Sequence, residues 1–333
     1  MKRNPLASIK LLNIKPAFSL LFLLQAFTAT VLWGDLTIID SISAGGSPSA
    51  LKVHPFLHKL YVYDSYGSEI RVIDLECDTL IAEIPVTPGE NRFILELDVT
   101  NNWIFAATVR DFQDFLYKID CLTDSILAQK ILGSATYISA SLSPQTNSIF
   151  WGLEGGKIYR LDEHTLAVID SFTTSYGLIE IISEVVDFGI FVYALRSVAN
   201  TIAVIEWGAN PEIMGVAISP YSDDMCLNPF NHSLYITHRY QNHITVVDPL
   251  NLRPLATINI ANPAKRIAYS TALNHVYALI PNPHKVAVID AATNSVVQYL
   301  PLQRCPISIA VDSHTGLAYI GCSNGKVYVI QDK

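Results

Sequence analysis

Acidic and imidazole side chains that could do chemistry cluster in one stretch of the chain. Asp223 and Asp224 stand in the segment SPYSDD, and His238 and His243 follow in HRYQNH. Carboxylates and imidazoles can act as general acids and bases, or can hold a cation. The spacing matches no zinc motif such as His-Glu-x-x-His, so the stretch predicts no metal site and no cofactor.

A second group of candidates is basic. Lys265 and Arg266 lie in ANPAKR, Arg304 lies in QRCP and Arg92 lies in TPGENR. If these segments meet in the fold, their charges form an arc suited to a carboxylate or a phosphate. The alternative is that they are ordinary solvated loop charges. The predicted ligand-binding set comprises Arg92, Asp223, Asp224, Lys265, Arg266, Arg304 and His238.

Motifs of covalent catalysis are missing from the sequence. There is no Gly-x-Ser-x-Gly nucleophile elbow and no Cys-x-x-Cys-His haem attachment. We therefore predict no catalytic residue. Catalysis by His238 or His243 with Asp223 or Asp224 stays as an alternative.

The five cysteines allow two pairings. Cys305 and Cys322 flank the segment CPISIAVDSHTGLAYIGC, which is typical of a hairpin, so a cross-strand disulfide between them is geometrically possible. Cys77 and Cys121 are a second candidate pair, while Cys226 lies in an apolar stretch typical of a core. An odd count leaves at least one thiol unpaired or intermolecular.

The first residues differ from the rest of the chain. Four basic residues and no acid occur in MKRNPLASIKLLNIK, and the apolar stretch PAFSLLFLLQAFTATVLW follows. A basic segment before a short apolar one is typical of a secretory signal. We predict a signal peptide over residues 1–34, or an uncleaved membrane anchor. Residues 35–333 are then periplasmic, cell-surface or extracellular.

Composition excludes some partners. Half of the residues are hydrophobic and 16% are charged, which is typical of a folded chain. The formal net charge is −8 and no long basic run occurs, so no nucleic-acid partner is expected. A protein or glycan partner is expected instead, and membrane contact only through the N-terminal segment.

A repeat of about 42 residues organises the chain. In most copies an aromatic residue precedes an acid by 13 residues, as Tyr277 precedes Asp290. The acids are Asp74, Asp120, Asp162, Glu206, Asp248, Asp290 and Asp332. Because they recur in every copy, we interpret them as turn caps and the aromatics as packing between copies.

Each copy contains four short apolar stretches, which in the sixth copy are RIAYS, HVYALI, KVAVID and SVVQYL. Four short strands at this period are the signature of a propeller blade, so the fold class predicted is an all-β, seven-bladed β-propeller. The last copy ends at its third strand, in KVYVIQDK. The unassigned stretch LTIIDSIS at residues 36–43 is expected to supply the fourth strand and close the ring.

The segment SPSALKVHPFLHKLYVYDSYGSEIRVIDLECDTLIAEIPV resembles the YVTN-type β-propeller repeat. The resemblance covers residues 36–333 and is weakest in the fourth copy, where Glu206 replaces the aspartate. It implies a seven-bladed propeller of a kind often exported. It implies no particular activity, because propeller shape does not define function.

The loops that enter each first strand vary far more than the strands do. Such loops build the channel mouth of a propeller, where a specific ligand surface would form. The function predicted is an exported, non-catalytic scaffold that presents this surface to a protein, glycan or small ligand. The alternatives are a hydrolase, lyase or isomerase with its site at the channel mouth, and a structural or redox-accessory subunit of an envelope complex.

Overall fold

The structure is a computed structural model, which describes residues 36–89, 93–133, 138–174, 177–187, 189–196, 200–208 and 212–332. In these ranges the chain forms 28 strands and one 3-10 turn, Pro144–Thr146. The predicted signal peptide at residues 1–34 lies outside the described residues. In the described part of the chain, no helix is long and apolar enough to cross a bilayer.

The strands, numbered in chain order, form seven sheets of four antiparallel strands. Blade one comprises β2 (Pro48–His54), β3 (Lys59–Asp64), β4 (Glu69–Asp74) and β5 (Thr79–Pro85). Blade two comprises β6 (Ile94–Asp98), β7 (Trp103–Arg110), β8 (Gln113–Asp120) and β9 (Ser125–Lys130). Blade three comprises β10 (Ile138–Ser143), β11 (Ser148–Leu153), β12 (Lys157–Asp162) and β13 (Val168–Thr173).

Blade four comprises β14 (Leu178–Val186), β15 (Gly189–Arg196), β16 (Thr201–Trp207) and β17 (Glu212–Ala217). Blade five comprises β18 (Ser222–Asn228), β19 (Ser233–His238), β20 (His243–Asp248) and β21 (Arg253–Asn259). Blade six comprises β22 (Arg266–Ser270), β23 (His275–Ile280), β24 (Lys285–Asp290) and β25 (Ser295–Pro301). Blade seven comprises β26 (Pro306–Val311), β27 (Ala318–Cys322), β28 (Lys326–Gln331) and β1 (Thr37–Ser43).

The seven first strands surround a central channel. Neighbouring first strands contact each other in the order β2, β6, β10, β14, β18, β22 and β26, and β26 contacts β2 again. The predicted fold class, a seven-bladed propeller of four-stranded blades, is confirmed. In each blade, the loop entering the first strand and the loop joining the second and third strands lie at one end of the sheet, because the strands are antiparallel. We call this the entry end.

Blade seven contains both termini of the described chain. β1 pairs antiparallel with β28, with Ile38 opposite Ile330 and Ile42 opposite Val327. Ile42 is buried in one apolar cluster with Val327 and with Leu51 of blade one. The first strand in the chain therefore packs against two blades.

The repeated acids cap turns, as interpreted from their period. Asp74 Oδ1 accepts the N–H of Glu76 at 2.7 Å, and Asp290 Oδ1 accepts the N–H of Ala292 at 2.7 Å. The same kind of cap is made by Asp120, Asp162 and Asp248. Glu206 is exposed and stands opposite Glu212 in the sheet. The acid repeat is thus chiefly local turn chemistry.

The repeated tyrosines connect neighbouring blades. Three of these buried hydroxyls donate to a side chain in the next blade: Tyr61 to Asp124 (2.9 Å), Tyr235 to Asn294 (2.8 Å) and Tyr277 to Asp332 (3.2 Å). Asp124 and Asn294 have positive φ angles, a conformation that Asp and Asn tolerate better than most residues. The same turn residue therefore shapes the hairpin and accepts the bond from its neighbour. The interpretation of the tyrosines as inter-blade contacts is confirmed at these three positions.

We expect Ile42→Ala to lower the free energy of unfolding by about 2–4 kcal/mol, because the cavity would open between blades seven and one. Ile42 is 2% exposed, whereas Ile39 in the same strand is 49% exposed. The matched variant Ile39→Ala should change stability by less than about 0.5 kcal/mol. Urea unfolding of the three proteins measures both effects. Equal, small effects of the two substitutions would show that β1 does not pack as described.

Candidate functional site

A cleft of about 350 Å³ lies at the entry end of blades five and six. We call it the five–six cleft. Its walls are formed by Asp223, Arg239, Pro263, Ala264, Lys265 and Pro281. The sequence predicted two of these residues, Asp223 and Lys265, as ligand-binding, and the structure brings them to one cleft. Such a volume is at the lower end of the range for small-ligand pockets.

Strand ends and short loops place the charged groups of the cleft. Asp223 stands at the start of β18, and Arg239 directly follows β19 in the loop to β20. Lys265 directly precedes β22 in the next blade, where its N–H donates to the Leu279 carbonyl at 2.9 Å. All three groups therefore meet at the entry end from neighbouring blades.

An ion pair orients the arginine. Arg239 Nη2 lies 2.8 Å from Asp223 Oδ1, and Asp223 is buried whereas Arg239 is exposed. Asp223, by its hydrogen bond and its charge, raises the pKa of Arg239. A guanidinium has five N–H donors in a fixed fork, so one ion pair does not exhaust it. With the exposed Lys265, the cleft offers two cations around one buried carboxylate.

Two exposed tyrosines flank Arg239. Tyr221 is 63% exposed and Tyr240 is 69% exposed, and their rings meet edge to face with centroids 5.3 Å apart. Tyr221 has a φ of +60°, which is unusual for a bulky residue, and its carbonyl accepts the N–H of Arg239 at 2.7 Å. Two exposed rings in contact form a contiguous apolar patch, which is the kind of surface that binding sites use. We call these two residues the tyrosine pair.

The remaining predicted ligand residues do not join this cleft. Asp224 and Arg266 follow Asp223 and Lys265 by one residue and line the central channel instead. Asp224 Oδ2 accepts the N–H of Ile267 from blade six at 3.1 Å, which connects two first strands. Arg304 is exposed on the entry loop of blade seven. Arg92 lies outside the described residues.

His238 is buried beneath the entry surface rather than presented to a ligand. Its Nε2 lies 2.8 Å from the Thr245 hydroxyl, and its ring centroid is 5.0 Å from that of His243. Burial first, and the neighbouring His243 second, lower the pKa of His238 to about 4. The Pro220 carbonyl opposes this effect weakly, although Nδ1 makes no hydrogen bond of normal geometry. His238 is therefore a neutral core residue at neutral pH.

The acid–base alternative named four residues, and each of them is engaged in a structural contact. Asp223 pairs with Arg239, Asp224 bonds to the backbone of blade six, and His238 bonds to Thr245. His243 Nε2 lies 2.9 Å from the Ser219 hydroxyl. Among the described residues, no group of histidine, cysteine and acidic side chains has metal-binding geometry.

The central channel is a second cavity, of about 420 Å³, lined by all seven first strands. Polar side chains of its wall bond to each other across neighbouring blades. Lys52 Nζ lies 3.1 Å from Glu96 Oε2, which joins blades one and two, and the Ser139 hydroxyl donates to Glu180 Oε1 at 3.0 Å, which joins blades three and four. These contacts hold neighbouring first strands together, so the channel is chiefly a structural feature.

Cys305 directly precedes β26, and Cys322 ends β27, the strand that pairs with β26 in blade seven. Pro306 stands opposite Cys322, and the N–H of Ser323 donates to the Cys305 carbonyl at 3.0 Å. Both residues are thiols in this structure, and the disulfide between them stays a prediction. Burial raises the pKa of the Cys322 thiol to about 12, so it is a poor nucleophile in this state.

No protein-family model matches the chain, and no curated protein matches it. The site is therefore interpreted from its own geometry. Sequence reasoning did not select Arg239, Tyr221 and Tyr240, although two tyrosines and an arginine in the entry-end loops of one repeat were the available signal.

We expect His238→Gln to reduce the acid sensitivity of the fold. A histidine whose folded-state pKa is lowered from 6.5 to about 4 stabilises the fold above pH 6.5, and this contribution is lost as the pH falls toward 4. Between pH 7 and 5 the wild type should lose about 1–2 kcal/mol more than the variant. Urea unfolding at the two pH values measures the difference. The control His314→Gln, at an exposed histidine, should lose as much stability between pH 7 and pH 5 as the wild type does. An equal loss in His238→Gln would contradict the account.

Proposed function

We propose that the protein is a non-catalytic binding scaffold whose ligand site is the five–six cleft with the tyrosine pair beside it. One observation carries the proposal: Arg239 is oriented by a buried carboxylate, Asp223, and lies next to a pair of exposed aromatic rings at the entry end of a regular ring of blades. The strands supply rigidity, and the variable loops supply chemistry. Catalysis is not needed to explain this arrangement.

The chemistry of the cleft favours a carboxylate ligand. A guanidinium binds a carboxylate through two parallel N–H donors, and an ammonium adds a second positive charge. Asp223 keeps Arg239 from rotating freely, so less side-chain entropy is lost on binding. Lys265 faces the same space from blade six. One acidic group fits between these two cations.

The ligand class that we propose is an acidic peptide segment of a partner protein. Tyrosine and arginine are the residues that most often dominate the energy of protein interfaces. The tyrosine pair offers a wide, exposed surface next to a small cleft, which suits an extended segment with one acidic side chain in the cleft. Prolines at 263 and 281 stiffen the cleft walls at little entropic cost.

Two further proposals concern the export of the chain and its family. The basic and apolar N-terminal pattern supports export, which would place the binding surface outside the cytoplasm. The residues of the repeat support membership of the YVTN-type propellers, since Tyr-Val at residues 61–62 and Val-Ile-Asp at residues 72–74 and 288–290 follow the pattern of that repeat. Both proposals rest on sequence pattern.

Screening an array of random dodecapeptides with the purified propeller tests the proposed ligand class. We expect bound peptides to be enriched in Asp and Glu, and Arg239→Ala to weaken binding of the best of them by at least about tenfold. Lys265→Ala should weaken binding less, because it removes a single solvated charge. Arg253→Ala is the matched control, since Arg253 is similarly exposed and pairs with Asp248 at the opposite end of blade five.

Several outcomes would overturn the proposal. Bound peptides without acidic enrichment would exclude the carboxylate, and equal losses for the Arg239 and Arg253 variants would exclude the cleft. Sugar acids also carry carboxylates, and a parallel glycan array tests them. If uronic-acid oligosaccharides bind in a way that depends on Arg239, and no peptide binds, the ligand is a sugar acid and not a peptide.

A further inference from the structure

Two ionisable residues interrupt the repeat where blades two and three meet, at the end opposite the five–six cleft. Glu163 directly follows the turn acid of blade three, and its N–H donates to the Asn147 carbonyl at 3.1 Å. Five of the other blades place an apolar residue, a proline or a thiol at this position: Leu75, Cys121, Trp207, Pro249 and Ala291. Blade three alone, among these six, has a carboxylate there.

The second interruption is Lys118, in the third strand of blade two. It stands two residues before the turn acid, where four other blades have a buried valine: Val72, Val204, Val246 and Val288. Lys118 is only 4% exposed. Departures from an otherwise regular pattern are costly, and they concentrate at sites with a role beyond folding.

The Glu163 carboxyl has no exposed surface, and only one of its two oxygens has a hydrogen-bond partner. Its Oε1 accepts a hydrogen bond from Asn101 Nδ2 at 3.3 Å, while Oε2 is buried without a hydrogen-bond partner. Lys118 Nζ donates to the His164 carbonyl at 3.1 Å and lies 3.1 Å from the centre of the Trp103 ring. A buried, unpaired carboxylate oxygen is expensive while the group is charged.

The charges around Glu163 come from both blades. Blade two presents the buried Asp98 and Lys118, and the turn of blade three contributes Asp162 and His164, whose Nε2 is 3.7 Å from Oε1. Burial first, and then the charge of Asp98, raise the pKa of Glu163 to about 7, against the opposing effect of Lys118. Near neutral pH this carboxyl therefore exchanges its proton.

We propose that the Glu163 carboxyl is a proton-binding site that couples the packing of blade two against blade three to pH. With the proton bound, the buried group is neutral and the contact between the two blades is stable. Without it, a charge lies buried near Asp98, and the turns at this contact loosen. The propeller thus responds to acid by tightening one inter-blade contact.

The sign of the effect follows from the raised pKa. The folded state binds the proton more tightly than the unfolded state, whose glutamate titrates near 4.5. Stability from the protonated form is fully present below about pH 4.5 and is lost as the pH rises through about 7. This is opposite in sign to the effect of His238, so the two groups can be separated by substitution.

Urea unfolding of the full chain between pH 5 and 8 tests the proposal with Glu163→Gln, which keeps the shape and removes the proton site. Because solvent lies near this turn and screens its charges, we expect the unfolding constant of the wild type to rise about tenfold more over this range than that of the variant. Glu206→Gln, at an exposed glutamate in strand β16, should follow the wild type.

Titration of the Glu163 carboxyl in the wild-type protein tests the proposal even if the Glu163→Gln variant folds poorly. The side-chain carboxyl signal of Glu163 in the ¹³C-labelled wild type should titrate near pH 7, and its midpoint should move upward in Lys118→Met, which removes the opposing cation. Amide exchange at residues 98–103 and 163–166 should slow as the pH falls from 8 to 6, after correction for intrinsic rates. Titration of Glu163 below pH 5, or equal pH slopes for wild type and Glu163→Gln, would overturn the proposal.

Discussion

Contacts between neighbouring blades hold this ring together, because a single four-stranded sheet cannot cover both of its apolar faces. The buried clusters combine residues of adjacent blades, such as Val246 of blade five with Val276 of blade six. Buried tyrosine hydroxyls reinforce these contacts by bonding to a turn residue of the next blade, as Tyr235 does to Asn294. As in other repeat folds, stability is then shared between units and interfaces, and loops at the ends can change without loss of the scaffold.

The loops and turns at the two ends of the ring present different side chains. At the entry end, the loops of blades five and six bring Arg239, Lys265 and the tyrosine pair to one surface, which suits recognition of an acidic segment. At the opposite end, most turns are closed by their own aspartates. Blade three keeps this cap at Asp162 and has Glu163 directly after it, and this second carboxyl gives one inter-blade contact a dependence on pH. The proposed ligand site and the proton site at Glu163 thus lie at opposite ends of the blades.

The period of the sequence was enough to predict the blades, because strand length, turn acids and inter-blade tyrosines repeat together. The site was only partly predictable. Asp223 and Asp224 are neighbours in sequence, yet one lines the cleft and the other the channel, because side chains alternate in direction along a strand. Contacts between loops are also hard to predict from sequence. The contact of Arg239 with Tyr221 depends on a left-handed backbone conformation at Tyr221, which composition does not reveal. Glu163 was visible as an exception to the repeat, but only when the repeat is aligned position by position.

The central claim is that hydrogen bonds from one blade to the turn of the next stabilise the ring. A double-mutant cycle of Tyr235→Phe and Asn294→Ala, followed by urea unfolding, measures this most directly, since the pair joins blades five and six at 2.8 Å. The account predicts a coupling energy of about 1 kcal/mol between the two positions. Additive effects, with coupling near zero, would show that the ring is held by apolar packing alone and would contradict the claim.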